Sequence, residues 1–142
     1  MTRKEEGTSD LIYKDEGYAI IGACFAVYKE TGCGFLEPVY HECLHIELES
    51  QKILFFSKPT QTLQYRGHTL VQTFMPDFIC YGTIIVEIKA VSALADEHRA
   101  QLLNYLSATS CALGLFVNFG HYPKMEYERL ITRKREPVHV YL

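Results

Sequence analysis

From Ala112 to Phe119 the chain reads Ala-Leu-Gly-Leu-Phe-Val-Asn-Phe, apolar at almost every position. A strand half exposed to water alternates apolar and polar side chains. One that is apolar on both sides has to be covered on both sides. The run therefore demands a sheet held between layers, and the rest of the sequence supplies them. Asp15 to about Thr31 has helical spacing, with Ile20, Cys24 and Val27 on one ridge and Ile21, Phe25 and Tyr28 on the next. Thr31-Gly32-Cys33-Gly34 stops it, because glycine suits a left-handed C-cap. A second helix spans about Leu36 to Ser50, with Pro38 in its first turn and Leu36, Tyr40, Cys43 and Leu44 apolar.

The period then shortens. Leu54 to Phe56, Thr62 to Tyr65 and Thr69 to Phe74 are β-rich and separated by Pro59 and an Arg66-Gly67-His68 turn. Asp77 to Cys80 and Ile84 to Lys89 form a hairpin around Tyr81-Gly82-Thr83. A long helix from Ala93 to Thr109 follows, with Leu94, Leu102, Leu103 and Leu106 toward the core and Asp96 and Glu97 in its first turn. After the apolar run come a short element from Met125 to Ile131 and a possible edge strand, Val138 to Tyr141. The order predicts an α/β or α+β fold, a mixed β-sheet flanked by helices. It is expected as one domain over 11–142 behind a polar, disordered segment 1–10.

With 142 residues and 48% hydrophobic composition, the chain can build a core without disulfide staples. Its five cysteines are odd in number and lack any CxxC spacing, so they read as reduced thiols of a cytoplasmic protein. No run is long enough to span a membrane, and no apolar segment follows the charged N-terminus as in a secretory signal. A net charge of −3 argues against a strongly basic nucleic-acid binder, although a bound metal would neutralise part of it. Arg133-Lys134-Arg135 reads as a solvated segment. The apolar tail Val138 to Leu142 and an exposed edge strand leave room for a homodimer.

The chemistry concentrates in Pro76-Asp77-Phe78 and Glu87-Ile88-Lys89. Magnesium takes hard oxygen ligands and keeps several waters, so two carboxylates from adjacent strands are about what it needs. Lys89 lies on the same pleated face as Glu87, placed for a phosphate or an activated water. Asp77 and Glu87 share that face only if the intervening loop is odd in length or carries a bulge; a three-residue loop centred on Gly82 puts them opposite each other. Glu37 starts the second helix, and Gln101 and Tyr105 share one face of the long helix, away from its leucines.

Gly34, Glu37 and Tyr40, followed by Pro76-Asp77, Glu87-Ile88-Lys89 and Gln101 to Tyr105, make the chain resemble the GxxExxY protein family, within the PD-(D/E)xK nuclease-like superfamily. The last motif is similar to the QxxxY helix of RecB-type exonucleases. The likeness runs from about Leu11 to Leu130 with the motifs in order. It implies a restriction-endonuclease-like α-β-β-β-α-β core and hydrolysis of DNA phosphodiesters. Magnesium, or manganese in its place, would be held by Asp77, Glu87, the Ile88 carbonyl and Glu37. It also implies that Lys89 acts on the attacking water, and that Gln101 and Tyr105 hold the nucleic-acid backbone or position Lys89.

The same residues have plainer readings. Asp77 can cap a turn, Glu87 and Lys89 can be a solvent-facing pair, and Glu37 in a first turn is favoured by the helix dipole alone. Gln101 and Tyr105 can be a surface stripe with Glu97 and His98 beside it, and Tyr40 a packing residue with a bonded hydroxyl. His41 and His45 have zinc-compatible spacing but lack the rest of a zincin motif. Tyr65, Arg66, His68, Arg99 and Lys124 would make a backbone-binding rim if the fold gathered them. Two rivals to a nuclease follow. One is a catalytically weak module that binds nucleic acid or a protein partner; the other is a structural protein whose acids pair with Lys89 and arginines.

Overall fold

The computed structural model describes residues 2–4 and 11–132. Helices α1 (Lys14–Thr31) and α2 (Glu37–Ser50) come first after the short strand β1 (Thr2–Lys4). Then follow β2 (Phe55–Ser57), β3 (Gln61–Tyr65), β4 (His68–Phe74), β5 (Phe78–Cys80) and β6 (Ile84–Lys89). Helix α3 (Asp96–Ala108), β7 (Leu113–Asn118) and β8 (Glu126–Thr132) complete the chain. Six strands make one mixed sheet in the order β1-β8-β7-β6-β5-β2, while β3 and β4 pair only with each other. β6 and β7 are parallel, and α3 makes the crossover between them.

The apolar run is β7, buried at all six positions as its composition requires. On one side of the sheet Leu113, Leu115 and Val117 pack with Ile84, Val86 and Ile88 against Ile20, Cys24 and Val27 of α1 and Tyr40, Leu44 and Leu48 of α2. On the other, Ile79, Ile85, Phe116 and Leu130 pack against Leu102 and Leu106 of α3. Tyr40 is fully buried, stacked on Phe119 with centroids 4.8 Å apart. Its hydroxyl donates to Gly32 O (2.6 Å) and accepts from Phe35 N–H (3.1 Å), which ties down the turn between α1 and α2.

Some expectations change. Thr2–Lys4 pairs antiparallel with β8, so the segment 1–10 is not wholly without structure; an open edge accepts even a polar strand through its backbone. Helix α3 starts at Asp96 rather than Ala93, because His98 Nδ1 accepts Ala95 N–H at 3.1 Å and closes the first turn there. Val138 to Tyr141, the basic run before it and the tail lie outside the described residues. Among the described residues no helix is long and apolar enough to cross a membrane. All five cysteines are unpaired, and burial pushes the Cys80 thiol up to about 12, leaving it protonated and inert.

Candidate active site

Cys80 pairs with Ile84, so the β5–β6 loop has three residues, Tyr81-Gly82-Thr83, and is odd. Continuing the register from Phe78↔Val86 sets Asp77 opposite Glu87 and Pro76 opposite Ile88. Proline has no N–H, so the ladder cannot continue past this point. The Asp77 side chain takes over, its Oδ2 accepting Ile88 N–H at 2.9 Å. Glu87 Oε1 in turn accepts Asp77 N–H at 3.0 Å. Pro76 thus opens the edge of β6 where the two carboxylates meet, and it has no donor to offer the Ile88 carbonyl.

Pleat alternation places Asp77, Glu87 and Lys89 on the α3 side of the sheet, with Ile79 and Ile85 below them. Glu87 is only 5% exposed. Burial, and then the neighbouring Asp77 carboxylate, raise its pKa from 4.5 to about 9, against a weaker opposing pull from Lys89. Two carboxylates this close, one nearly dry, call for either a proton or a cation. Glu87 Oε1 and Asp77 Oδ2 each take a backbone N–H, and the two side chains also hydrogen-bond to each other, a contact that a shared proton holds in the absence of a cation. Two adjacent carboxylates that need a positive charge between them fit magnesium, which binds through one or two carboxylates and keeps waters for the rest of its shell. Among the described residues no three His, Cys, Asp or Glu side chains form a metal-holding group.

Glu37 forms no three-acid group with the pair among the described residues. Tyr40, Leu44 and Leu48 anchor α2 on the opposite side of the sheet, and Glu37 stays half-buried at its start. The residue of α2 that touches the backbone of the acid strand is one turn on. The His41 ring stacks on Phe78 (centroids 4.4 Å apart), and its Nε2 lies 3.3 Å from Asp77 O. Burial lowers its pKa, so the neutral ring with Nε2–H donates to that carbonyl. His45 turns instead to Glu49 at 3.1 Å, and the two histidines form no metal site.

On α3, Tyr105 is half-buried and stacks on Phe74 at the foot of β4 (4.7 Å), rather than facing away from the core. Burial first, then the charges of Glu87 and Asp77, raise its pKa, so its hydroxyl stays protonated within their field. Gln101 is exposed, and its side chain makes no hydrogen bond among the described residues. Tyr65, Arg66 and His68 come together at the β3–β4 turn. Arg99 is held elsewhere by Glu128 (2.7 and 2.8 Å) and Asp96 (2.9 Å), so the five-residue rim does not assemble.

One supporting group was hidden in the apolar run. Asn118, the register partner of Lys89, is fully buried. Its Oδ1 accepts Val91 N–H and Gly120 N–H (both 3.0 Å), while its Nδ2 donates to Val91 O and Glu126 Oε1 (both 2.9 Å). Glu126 also accepts Leu94 N–H at 2.9 Å. These bonds fix the backbone leaving Lys89. Gly120 lets the segments approach, since a Cβ there would lie 2.4 Å from Val91 N. The polar exception in an otherwise apolar strand was the available signal. A cleft of about 590 Å³ between α1 and the β7–β8 surface, lined by Ile21, Phe25, Leu115 and Tyr127, lies on the opposite side of the sheet.

A mixed sheet between helices, with an acid at the broken end of one strand and Glu-Ile-Lys on the next, defines the restriction-endonuclease-like class of nuclease folds. Residues 14–130 match the PD-(D/E)XK nuclease superfamily, and the chain belongs to it. No curated protein matches it in sequence. Among solved structures, the crystal structure of SSO0001 is similar, with a TM-score of 0.55 and 18% identity over 87% of this chain. That likeness bears on the fold alone, and this chain spans 59% of the other's length.

Proposed function

We propose that this protein is a divalent-metal-dependent nuclease that hydrolyses DNA phosphodiesters, with magnesium, or manganese in its place, at the Asp77–Glu87 pair. The observation that carries it is the meeting of those carboxylates where Pro76 ends the ladder, with Lys89 one pleat beyond. Asp77 and Glu87 would hold the ion with the Ile88 carbonyl, leaving water in the remaining positions. A bound ion of this kind polarises a phosphate oxygen and lowers the pKa of its water. Lys89, kept on the carboxylate side by β6 and on course by the Asn118 bonds, would meet the water or the charge developing on the phosphate. The protonated Tyr105 hydroxyl can donate to a phosphate oxygen, and Gln101 lies a turn earlier on the same helix for the backbone.

The glycine, glutamate and tyrosine at 34, 37 and 40 support placing the chain in the GxxExxY group. Tyr40 serves the fold in that motif, and Glu37 would enter the metal shell only if α2 shifted. Unpaired cysteines suit a cytoplasmic setting. The separation of Glu37 from the pair favours one second reading, a module that binds nucleic acid without turning it over. Incubation of labelled single- and double-stranded DNA with magnesium or manganese decides. The nuclease reading expects cleavage that EDTA stops, that Glu87→Gln abolishes, and that Lys89→Met slows by about 10²-fold or more. Equal cleavage by wild type and Glu87→Gln would refute it.

A further inference from the structure

The β3–β4 hairpin stands outside the main sheet, and nearly every residue of β4 is exposed. A two-stranded hairpin has no core of its own and needs a further surface for stability. Its anchor is at the base, where Phe74 stacks on Tyr105 beside the acid pair. Its charge is unlike the rest of the chain. Residues 51–76 contain Lys52, Lys58 and Arg66 and no aspartate or glutamate, in a protein with 17 acids and a net charge of −3. At the tip Arg66 (φ 48°) and Gly67 (φ 79°) make a turn with positive φ at both central residues, and the Arg66 guanidinium lies 5.6 Å over the Tyr65 ring.

We propose that this hairpin is a nucleic-acid-gripping arm that lies in a groove of duplex DNA and delivers the backbone to the Asp77–Glu87 site. The proposal rests on the reading of that site as one for DNA. Tyr65↔His68 and Gln61↔Phe74 are cross-strand partners, so Tyr65 and His68 share the face that ends on Phe74 and Tyr105. The face forms a track from the cationic tip to the acids. A register shift bulges β4, so the arm between the Tyr65↔His68 and Gln61↔Phe74 pairs is set by the four steps of β3, about 14 Å or roughly four base pairs of duplex. A two-stranded ribbon fits the major groove. Glutamine and threonine side chains line the arm, hydrogen-bonding groups that suit base edges and phosphates alike. Single-strand binding calls for successive rings on which bases stack, and the arm offers only Tyr65 and His68, paired at its tip, because Phe74 is covered by Tyr105.

Fluorescence anisotropy with a labelled 20-base-pair duplex and its single strand tests the arm without turnover. It uses wild type in EDTA and Glu87→Gln in magnesium. Tyr65→Ala, Arg66→Ala and His68→Ala together should weaken duplex binding about tenfold, with circular dichroism unchanged because the tip is exposed. Arg66→Ala alone should lower the slope of log K against log salt by about one. Unchanged duplex affinity in the triple variant overturns the proposal, as does tighter binding of the single strand. Sedimentation showing a dimer that Val71→Lys dissociates would also overturn it, by making the arm a protein contact. Loss of binding in the tip variants combined with an absence of cleavage in wild type would keep the arm and reject the nuclease reading.

Discussion

Replacing Glu87 with glutamine should make the metal-free protein more stable at alkaline pH, the reverse of the usual effect of altering a buried polar residue. The glutamine Oε1 can still accept Asp77 N–H, and its Nε2 can donate to the Asp77 carboxylate, so no partner is stranded. The wild-type carboxyl titrates near 4.5 when unfolded and at about 9 when folded. Between those values the folded state holds a proton that the unfolded state has lost, so stability is full below 4.5 and falls as pH rises toward 9. One proton is worth about 1.4 kcal/mol per pH unit, so the interval from pH 6 to pH 8 costs at most about 3 kcal/mol. Because Asp77 shares the site, about 1–2 kcal/mol is the expected difference. Urea denaturation in EDTA at both pH values, wild type against Glu87→Gln, reads it directly. The wild type should lose about 1–2 kcal/mol more than the variant on going to pH 8, and magnesium should restore part of that loss by binding the folded state. A Glu87→Gln protein no more stable than wild type at pH 8, with the same pH dependence, would refute the reasoning.

Three further outcomes follow from the supports around the site. Asn118→Ala strands Val91 N–H, Val91 C=O and Gly120 N–H together, and should cost about 3 kcal/mol, read as a Tm lower by about 10 °C. Gly120→Ala drives a Cβ into the Val91 backbone, so thermal melting should show a loss of at least about 2 kcal/mol. If the protein cleaves DNA as proposed, that cleavage should fall as well, because the backbone behind Lys89 must shift. Tyr40→Phe removes one hydroxyl that serves both Gly32 O and Phe35 N–H while keeping the stack on Phe119, and should cost about 1–2 kcal/mol in urea denaturation without changing metal affinity.

Much of the fold is legible because burial leaves a mark on composition. The double-sided apolarity of 112–119 demands β7 with cover on both sides, and loop parity around Gly82 sets Asp77 opposite Glu87. Contacts made by backbone, or by groups distant in sequence, leave no such mark. β1 joins the sheet through its main chain, so its polar residues gave no strand signal. Pro76 reads as a motif letter until the register shows that it ends the ladder opposite Ile88. The bond between His41 and Asp77, 36 residues apart, depends on how α2 crosses the sheet, which spacing along α2 does not reveal. The same crossing keeps Glu37 away from the acid pair. Asn118 was visible as one polar letter in an apolar run, but its four bonds run to Val91 and Gly120 in loops and to Glu126 at the start of β8, positions brought together by tertiary packing.

The central claim is that Asp77 and Glu87 together hold a divalent cation. Calorimetric titration of manganese and magnesium into wild type, and into a protein carrying Asp77→Ala with Glu87→Ala, tests it most directly; a duplex oligonucleotide is added in a second series to supply phosphate ligands. The account predicts binding to wild type that disappears in the double variant. Equal binding by both proteins, or none by wild type even with the oligonucleotide present, would contradict it.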